Sequence, residues 1–285
     1  MQLQQKPAAS PYLLPRNINL LNYKQRISVV AVVLTIPLPL QNAVADEKFS
    51  GSVAAGVASR PDYEGSADNE AVPLFAADIN YRGVTLYALG DDLELDVSPY
   101  SSFEFGPALS FRNGRDDDLE NEIVSRMTPI DDAVEVGGFA RYIFHDIFSS
   151  RDRIVVGAKF LNDVSSSYDG YVVKFGAGYT TRLTDRIGAG ISVSADYASD
   201  DYMQTYFGVN DVDAGLTGFD PYTAEAGMKD VSFGLVGNYH LTKKWDILGM
   251  YSFKQLTGDS KDSPIVALEG DEAQHRFGIG LRYKF

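Results

Sequence analysis

The sequence predicts an all-β fold, a transmembrane antiparallel β-barrel of about 12 strands (10–14) with both termini periplasmic. Three observations predict it. Segments after residue 45 alternate apolar and polar residues, the polar parity is crowded with glycine, and the chain closes on an alternating segment ending in an aromatic. Side chains of a strand alternate faces with period two, so such a segment has one greasy face and one small or charged face.

The chain begins differently. Lys24 and Arg26 precede the apolar run 27–40, and Ala43-Val44-Ala45 supplies small residues at a cleavage site. These features predict a secretory signal peptide with an N-terminal extension over residues 1–45 and an outer-membrane β-barrel over 46–285. The run is short and interrupted by Pro37 and Pro39, whereas a spanning helix needs about 20 apolar residues. The whole chain carries a net charge of −14, and the leader holds Lys6, Arg16, Lys24 and Arg26 with no acid, so the exported part is more acidic still. That field repels nucleic acid, which is excluded as a partner. Cysteine is absent, which excludes disulfides and thiol nucleophiles. His145, His240 and His275 have no metal-ligand spacing, and neither metal nor cofactor is expected.

Strands are expected at 49–58, 71–81, 83–89, 92–97, 101–112, 134–146, 152–161, 170–182, 185–197, 231–241, 245–256 and 273–285, the third and fourth being short. In the fifth, Phe103, Phe105, Leu109 and Phe111 oppose Ser102, Glu104, Gly106, Ser110 and Arg112. In the eighth, Tyr171, Val173, Phe175, Ala177 and Tyr179 oppose Lys174, Gly176, Gly178 and Arg182. The ninth sets Ile187, Ile191 and Val193 against Gly188, Gly190 and Ser192, and the tenth sets Phe233 and Leu235 against Ser232 and Gly234. The eleventh sets Trp245, Ile247 and Phe253 against Asp246, Ser252 and Lys254. The last sets Phe277, Ile279, Leu281, Tyr283 and Phe285 against Arg276, Gly278, Gly280, Arg282 and Lys284.

Link lengths agree with that order. Turns near 149–152, 182–186 and 242–244 fall on the side of the termini, and the long links 113–133, 162–169, 198–230 and 257–272 fall opposite. Short periplasmic turns and longer outer loops belong to membrane barrels. A soluble β-sandwich or lipocalin-like barrel also alternates, with its apolar parity facing a core. Here Glu104, Arg112, Glu135, Arg141, Lys159, Lys174, Arg182, Arg186, Arg276 and Arg282 share the glycine parity, which suits a cramped solvated lumen. Trp245, Phe253, Tyr171, Tyr283 and Phe285 near strand ends suit aromatic girdles, and outer-membrane lipid and lipopolysaccharide are the expected surroundings. Tyr283 and Phe285 on the final strand also read as a barrel-assembly signal, recognised by strand addition in the barrel-assembly machinery.

Several segments resemble the MipA/OmpV family of outer-membrane proteins, named for the MltA-interacting protein. They are Arg60-Pro-Asp-Tyr-Glu-Gly65, Tyr81-Arg-Gly83, Gly106-Pro107 followed by Gly114-Arg115, Val134-Glu-Val-Gly-Gly138, Tyr202-Met-Gln-Thr-Tyr-Phe-Gly208, Asp262-Ser-Pro-Ile265 and the closing Tyr-Lys-Phe. The resemblance implies a non-enzymatic outer-membrane protein, a scaffold joining a murein-cleaving lytic transglycosylase to a murein-synthesising penicillin-binding protein. Other members imply surface adhesion, and the family supplies no catalytic residues. Pro61, Gly65, Gly137 and Gly138 also have a plain reading as loop and bend residues.

Signals for other chemistry are sparse. His275 near an outer strand end, with Ser260, Ser263, Asp259, Asp262 and Asp271 in the preceding loop, is the nearest approach to a hydrolase constellation. The acidic run Arg115–Glu122 and the 259–272 loop read first as solvated surface and second as divalent-cation sites. The weakly charged segment Tyr202–Gly208 is expected to fold back over the barrel rim. A small-solute channel is the chief rival to the scaffold, since a barrel of about 12 strands lies between filled and open barrels.

Overall fold

The computed structural model describes residues 49–285, so the leader lies outside the described residues. Twelve antiparallel strands close into one barrel: β1 (Phe49–Pro61), β2 (Asn69–Tyr81), β3 (Val84–Leu89), β4 (Asp92–Asp96), β5 (Phe103–Arg112), β6 (Ala133–His145), β7 (Asp152–Asp163), β8 (Tyr171–Arg182), β9 (Ile187–Ala198), β10 (Gly227–His240), β11 (Trp245–Leu256) and β12 (Ala273–Lys284). Each pairs with its sequence neighbours, and β1 closes on β12 from Ser52↔Lys284 to Ser59↔Phe277. A closed sheet gives every strand a neighbour on both sides, which lets it lie in hydrocarbon with little unpaired backbone.

The alternation settles which face is which. Val57, Phe75, Phe160, Phe175, Ile191, Phe233, Phe277 and Ile279 stand exposed on one face. Arg141, Lys159 and Lys174 occupy the other, where they meet acids from neighbouring strands. An apolar outer surface of this extent is what acyl chains cover. Rings gather where β1 begins and β12 ends, Phe49 stacking on Phe285 at 5.3 Å and Trp245 lying 4.9 Å from Tyr283.

The barrel's two ends differ. At the end where β1 begins and β12 finishes (the terminus end) the connections are brief, as at 82–83, 183–186 and 241–244. At the other end the long links fold into a cap. The link 199–226, read as a loop from the sequence, forms α1 (Asp200–Phe207) and α2 (Asp211–Thr217), and the 257–272 link forms α3 (Gly258–Asp262) and α4 (Pro264–Ala267). Cap residues nucleate these short helices. The Ser199 hydroxyl accepts from Tyr202 N, the Asn210 side chain accepts from Val212 and Asp213 N, and Gly218 ends α2 in the left-handed region at φ 82°.

The cap carries the two largest buried hydrophobic clusters of the described residues. Tyr202, Met203, Tyr206 and Phe207 recur on one face of α1 and are buried with Tyr168, Val172, Leu256 and Val266. Tyr63, Val124, Met127, Val209, Phe219 and Ile265 form a second cluster beside them. The segment Tyr202–Gly208 therefore folds back over the mouth as expected.

Candidate functional site

Beneath the cap the barrel mouth is crossed by a continuous network of charged groups. It begins on the wall, where Arg112 at the end of β5 donates from Nε and Nη2 to the two carboxylate oxygens of Glu135 on β6, at 2.7 and 3.2 Å. The Tyr168 hydroxyl donates to the same Glu135 at 2.6 Å. Arg112 Nη1 reaches the Tyr202 hydroxyl at 2.9 Å, and that hydroxyl donates in turn to Glu64. Glu64 hangs into the mouth from the β1–β2 loop, held there by Gly65, whose φ of +99° belongs to glycine and whose missing side chain leaves room for Val266.

Glu64 is the hub. Lys229 approaches it at 2.5 Å and Lys254 at 3.3 Å. Lys229 also meets Asp230 at 2.6 Å and Asp196 at 3.9 Å, while Lys254 meets Asp230 at 3.0 Å and Lys174 meets Asp196 at 4.0 Å. The acids Glu64, Glu135, Asp196 and Asp230 thus balance the bases Arg112, Lys174, Lys229 and Lys254. Charges withdrawn from water are tolerated only when paired and hydrogen-bonded. Burial alone would raise the Glu64 carboxyl, but Lys229, Lys254 and Arg112 outweigh it and hold the group well below the ordinary carboxylate range. Burial pushes the Tyr202 phenol well above its usual value, and it pushes Tyr63, in the neighbouring cluster, up to about 12.

Sequence reading placed Arg112, Glu135 and Lys174 in the lumen, and the structure joins them here. It missed Lys229 and Asp230, because it began the strand at 231. A β-bulge explains the omission. β10 pairs with β9 at Met228↔Tyr197 and Asp230↔Asp196, leaving Lys229 as an extra residue, so two consecutive side chains are both buried. A strict period of two forbids that. The Lys-Asp pair just ahead of a strongly alternating strand was the available signal.

Further into the lumen, Arg141 binds Glu104 at 2.6 Å and Glu94 at 2.7 Å, and Lys159 binds Glu94 at 3.0 Å. A cavity of about 300 Å³ lies against Glu94, Arg141 and Lys159 and against Gly157, Gly176 and Gly178. Those glycines explain the crowding of one parity, since they leave open lumen where side chains would stand. At the terminus end Asp246 takes His240 at 2.6 Å, Lys284 at 2.9 Å, and Arg282. Arg186 and Arg182 stay exposed near the rim, Arg186 reaching the Tyr239 hydroxyl at 3.3 Å.

The hydrolase constellation is not brought together. The Ser260 hydroxyl donates to the carbonyls of Lys229 and Thr257, and Ser263 donates to the Phe207 carbonyl, both serving as buried staples of the cap. His275 lies on the outer face against Tyr251 and Phe253. The acidic run divides, Asp116, Asp117 and Asp118 standing exposed while Arg115 at its head is buried and reaches the Tyr206 carbonyl at 3.5 Å. Gly137 approaches the Phe160 carbonyl too closely for any Cβ, as a bend residue does. Tyr283 and Phe285 sit on the closing seam, where Phe285 exchanges backbone hydrogen bonds with Gly51 at 3.1 and 3.3 Å.

The family model described as MltA-interacting protein MipA matches residues 53–285. No curated protein matches the chain. Among solved structures, an outer membrane channel from Pseudomonas putida F1 is similar at 11% identity and a TM-score of 0.43, covering 84% of this chain and 96% of that one. The CymD monoaromatic hydrocarbon channel is similar at 11% identity and 0.39, over 83% and 88%. An anion-selective porin from Comamonas acidovorans is similar at 8% identity and 0.38, over 83% and 98%.

Proposed function

This chain belongs to the MipA family, and on that premise we propose that it is a non-enzymatic barrel of the bacterial outer membrane that scaffolds murein-cleaving and murein-synthesising enzymes. The observation that carries this reading is the cap. A mouth closed by two hydrophobic clusters above a charge-balanced network is built to stay shut, which suits a platform better than an open pore.

On this reading the short turns and both termini face the periplasm and the cap faces outward, following the usual asymmetry of loop lengths. The partner surface is then the terminus-end rim, where Tyr100, Phe148 and Leu183 are 63, 77 and 63% exposed. Apolar tips between polar neighbours are the kind of anchor an interface uses. A lytic transglycosylase is the first partner, in keeping with a family named for interaction with MltA, and a penicillin-binding protein is the second. Tyr283 and Phe285 serve the barrel-assembly machinery before the seam closes. Co-purification from detergent-solubilised envelopes tests the proposal. Captured murein enzymes should be lost when Phe148, Tyr100 and Leu183 are replaced by serine, and capture unchanged by those replacements would overturn it.

A gated small-solute channel is the second reading, favoured by the charged cavity below the cap. Planar-bilayer recording separates the two. Silence in the intact chain supports the platform, and steady openings support the channel.

A further inference from the structure

The barrel wall is not of even height. β2 has 13 residues, while β3 and β4, which follow it around the barrel, have 6 and 5. At about 3.3 Å per residue and a tilt near 45°, β2 rises about 30 Å along the barrel axis and β3 only about 14 Å. The apolar band of such a barrel is about 25 Å tall, so the β3–β4 hairpin stops inside it. β3 pairs with β2 only as far as Ala76↔Leu89, while on the other side Phe111 N donates to Asp91 O one residue short of the end of β5, so the space above lies along β2 and no β2–β5 pairing bridges it. The wall has a step there. Pro73 lies on the unpaired stretch of β2, at a position of the same parity as Phe75, whose carbonyl accepts from Gly90 N at the hairpin tip. A residue without an N–H suits an edge that has lost its neighbour.

Inside the step the lumen changes character. The ion pairs begin on β4, where Asp92, directly across from Leu89, and Glu94 meet Lys159 and Arg141, but towards β2 the inward positions are Val72 and Leu74 on β2, Leu89 on β3, and Leu248 and Met250 on β11. Leu89 is 53% exposed although it faces inward. Between these side chains β12 and β1 present Gly278, Gly280 and Gly56, and both Leu74 and Met250 lean over Gly278. Apolar side chains lining a lumen are the exception in membrane barrels, whose interiors are polar. At the upper edge of this panel stand two cations. Arg60 bridges the step from within, meeting Glu70 at 2.9 Å and Asp91 of the hairpin tip at 3.4 Å. Arg276, one position beyond the Phe277↔Ser59 pair and so beside Arg60, is exposed and makes no ion pair among the described residues.

We propose that this step is a lateral portal through which a single-chain anionic amphiphile of the membrane enters the lumen, its head group on Arg276 and Arg60 and its acyl chain along Leu74, Leu89 and Met250. The occupant follows from what the opening joins. One side is acyl chains, and the other is an apolar strip topped by positive charge. Arg60 acts as the latch, exchanging its hold on Asp91 for the entering head group. The inference rests on the barrel and its membrane and is independent of the scaffold reading.

Photolabelling of the full chain in phosphatidylcholine vesicles tests it, because residues adjacent in sequence face opposite sides of the wall. The probes are palmitic acid and lysophosphatidylglycerol carrying a mid-chain diazirine, with the matching fatty alcohol as a neutral control. Any bilayer probe will mark outward Phe75 and Phe277, which reports insertion. The portal predicts additional labelling of inward Leu74, Leu89 and Met250 by one or both anionic probes, and the probe that labels identifies whether the source is a free acid or a lysolipid. Arg276→Gln should lower inward labelling about tenfold while leaving Phe75 unchanged. Labels confined to outward residues, or equal inward labelling by the alcohol, would overturn the proposal.

Discussion

The two ends of this barrel hold similar ion clusters in different surroundings. At the mouth, Lys229 and Asp230 have side chains 1% exposed, and the cluster is roofed by packed helices. At the terminus end, Asp246 is equally covered, but its partners His240, Arg282 and Lys284 are 20, 29 and 33% exposed and no helix of the described residues lies over them. Water reaches the second cluster and replaces a lost partner. It does not reach the first, so each member there depends on the rest. The contrast teaches that the cap is a cooperative closure, whereas the lower ring is a set of separable contacts.

Several measurements sharpen or break that contrast. Lys229→Met should have the largest effect, since it leaves Glu64 and Asp230 buried with a major partner gone, at a cost of about 3–5 kcal/mol to the cap. Protease cleavage within 199–226 should become rapid while the strands remain folded, and Lys229→Met combined with Glu64→Gln should recover part of the loss. Acid should act through the same hub. Glu64 has a folded pKa below its ordinary 4.5, so its contribution is fully present above 4.5 and is lost only as pH falls through the lower folded value. Cap protection should therefore be level from neutral pH to about 5 and decline only in stronger acid. Opening between pH 7 and 5 would show that another group holds the mouth.

Gly65→Ala comes next, with a backbone at positive φ and a methyl group directed at Val266. A loss of about 1–3 kcal/mol, read as faster cap proteolysis, is expected. Asp246→Asn should cost about 1 kcal/mol in urea unfolding, because solvent reaches every partner. Arg151→Ala should be smallest, since its pair with Asp185 has side chains 55 and 92% exposed. No measurable change in unfolding is expected there. An Asp246→Asn effect as large as that of Lys229→Met would erase the distinction between the two ends.

Much of the barrel was legible in the residues because strand periodicity is a local property. Tyr171 and Phe175 on one parity and Gly176 and Gly178 on the other declare two faces without any knowledge of neighbours. The short third and fourth strands were visible for the same reason, and so was the lumen parity of Arg112, Glu135 and Lys174. The helices of the cap were less visible. Ser199 and Asn210 are capping residues that mark them in retrospect, but each helix is shorter than a sequence pattern resolves and is held by burial of Tyr202 and Phe207.

By itself the sequence determined a two-faced strand repeated along the chain, a net acidic charge, and a chain free of thiol chemistry, since each depends only on residue type and spacing. Tertiary structure alone decided that Glu64 meets Lys229, 165 positions away, and that a bulge turns Lys229 inward beside Asp230. It alone placed Ser260 and Ser263 as staples and set the step above β3–β4 against Arg60. Those outcomes depend on which loops share the mouth and how high each strand climbs. Ring closure and desolvation fix such matters, and neither is written in a local pattern.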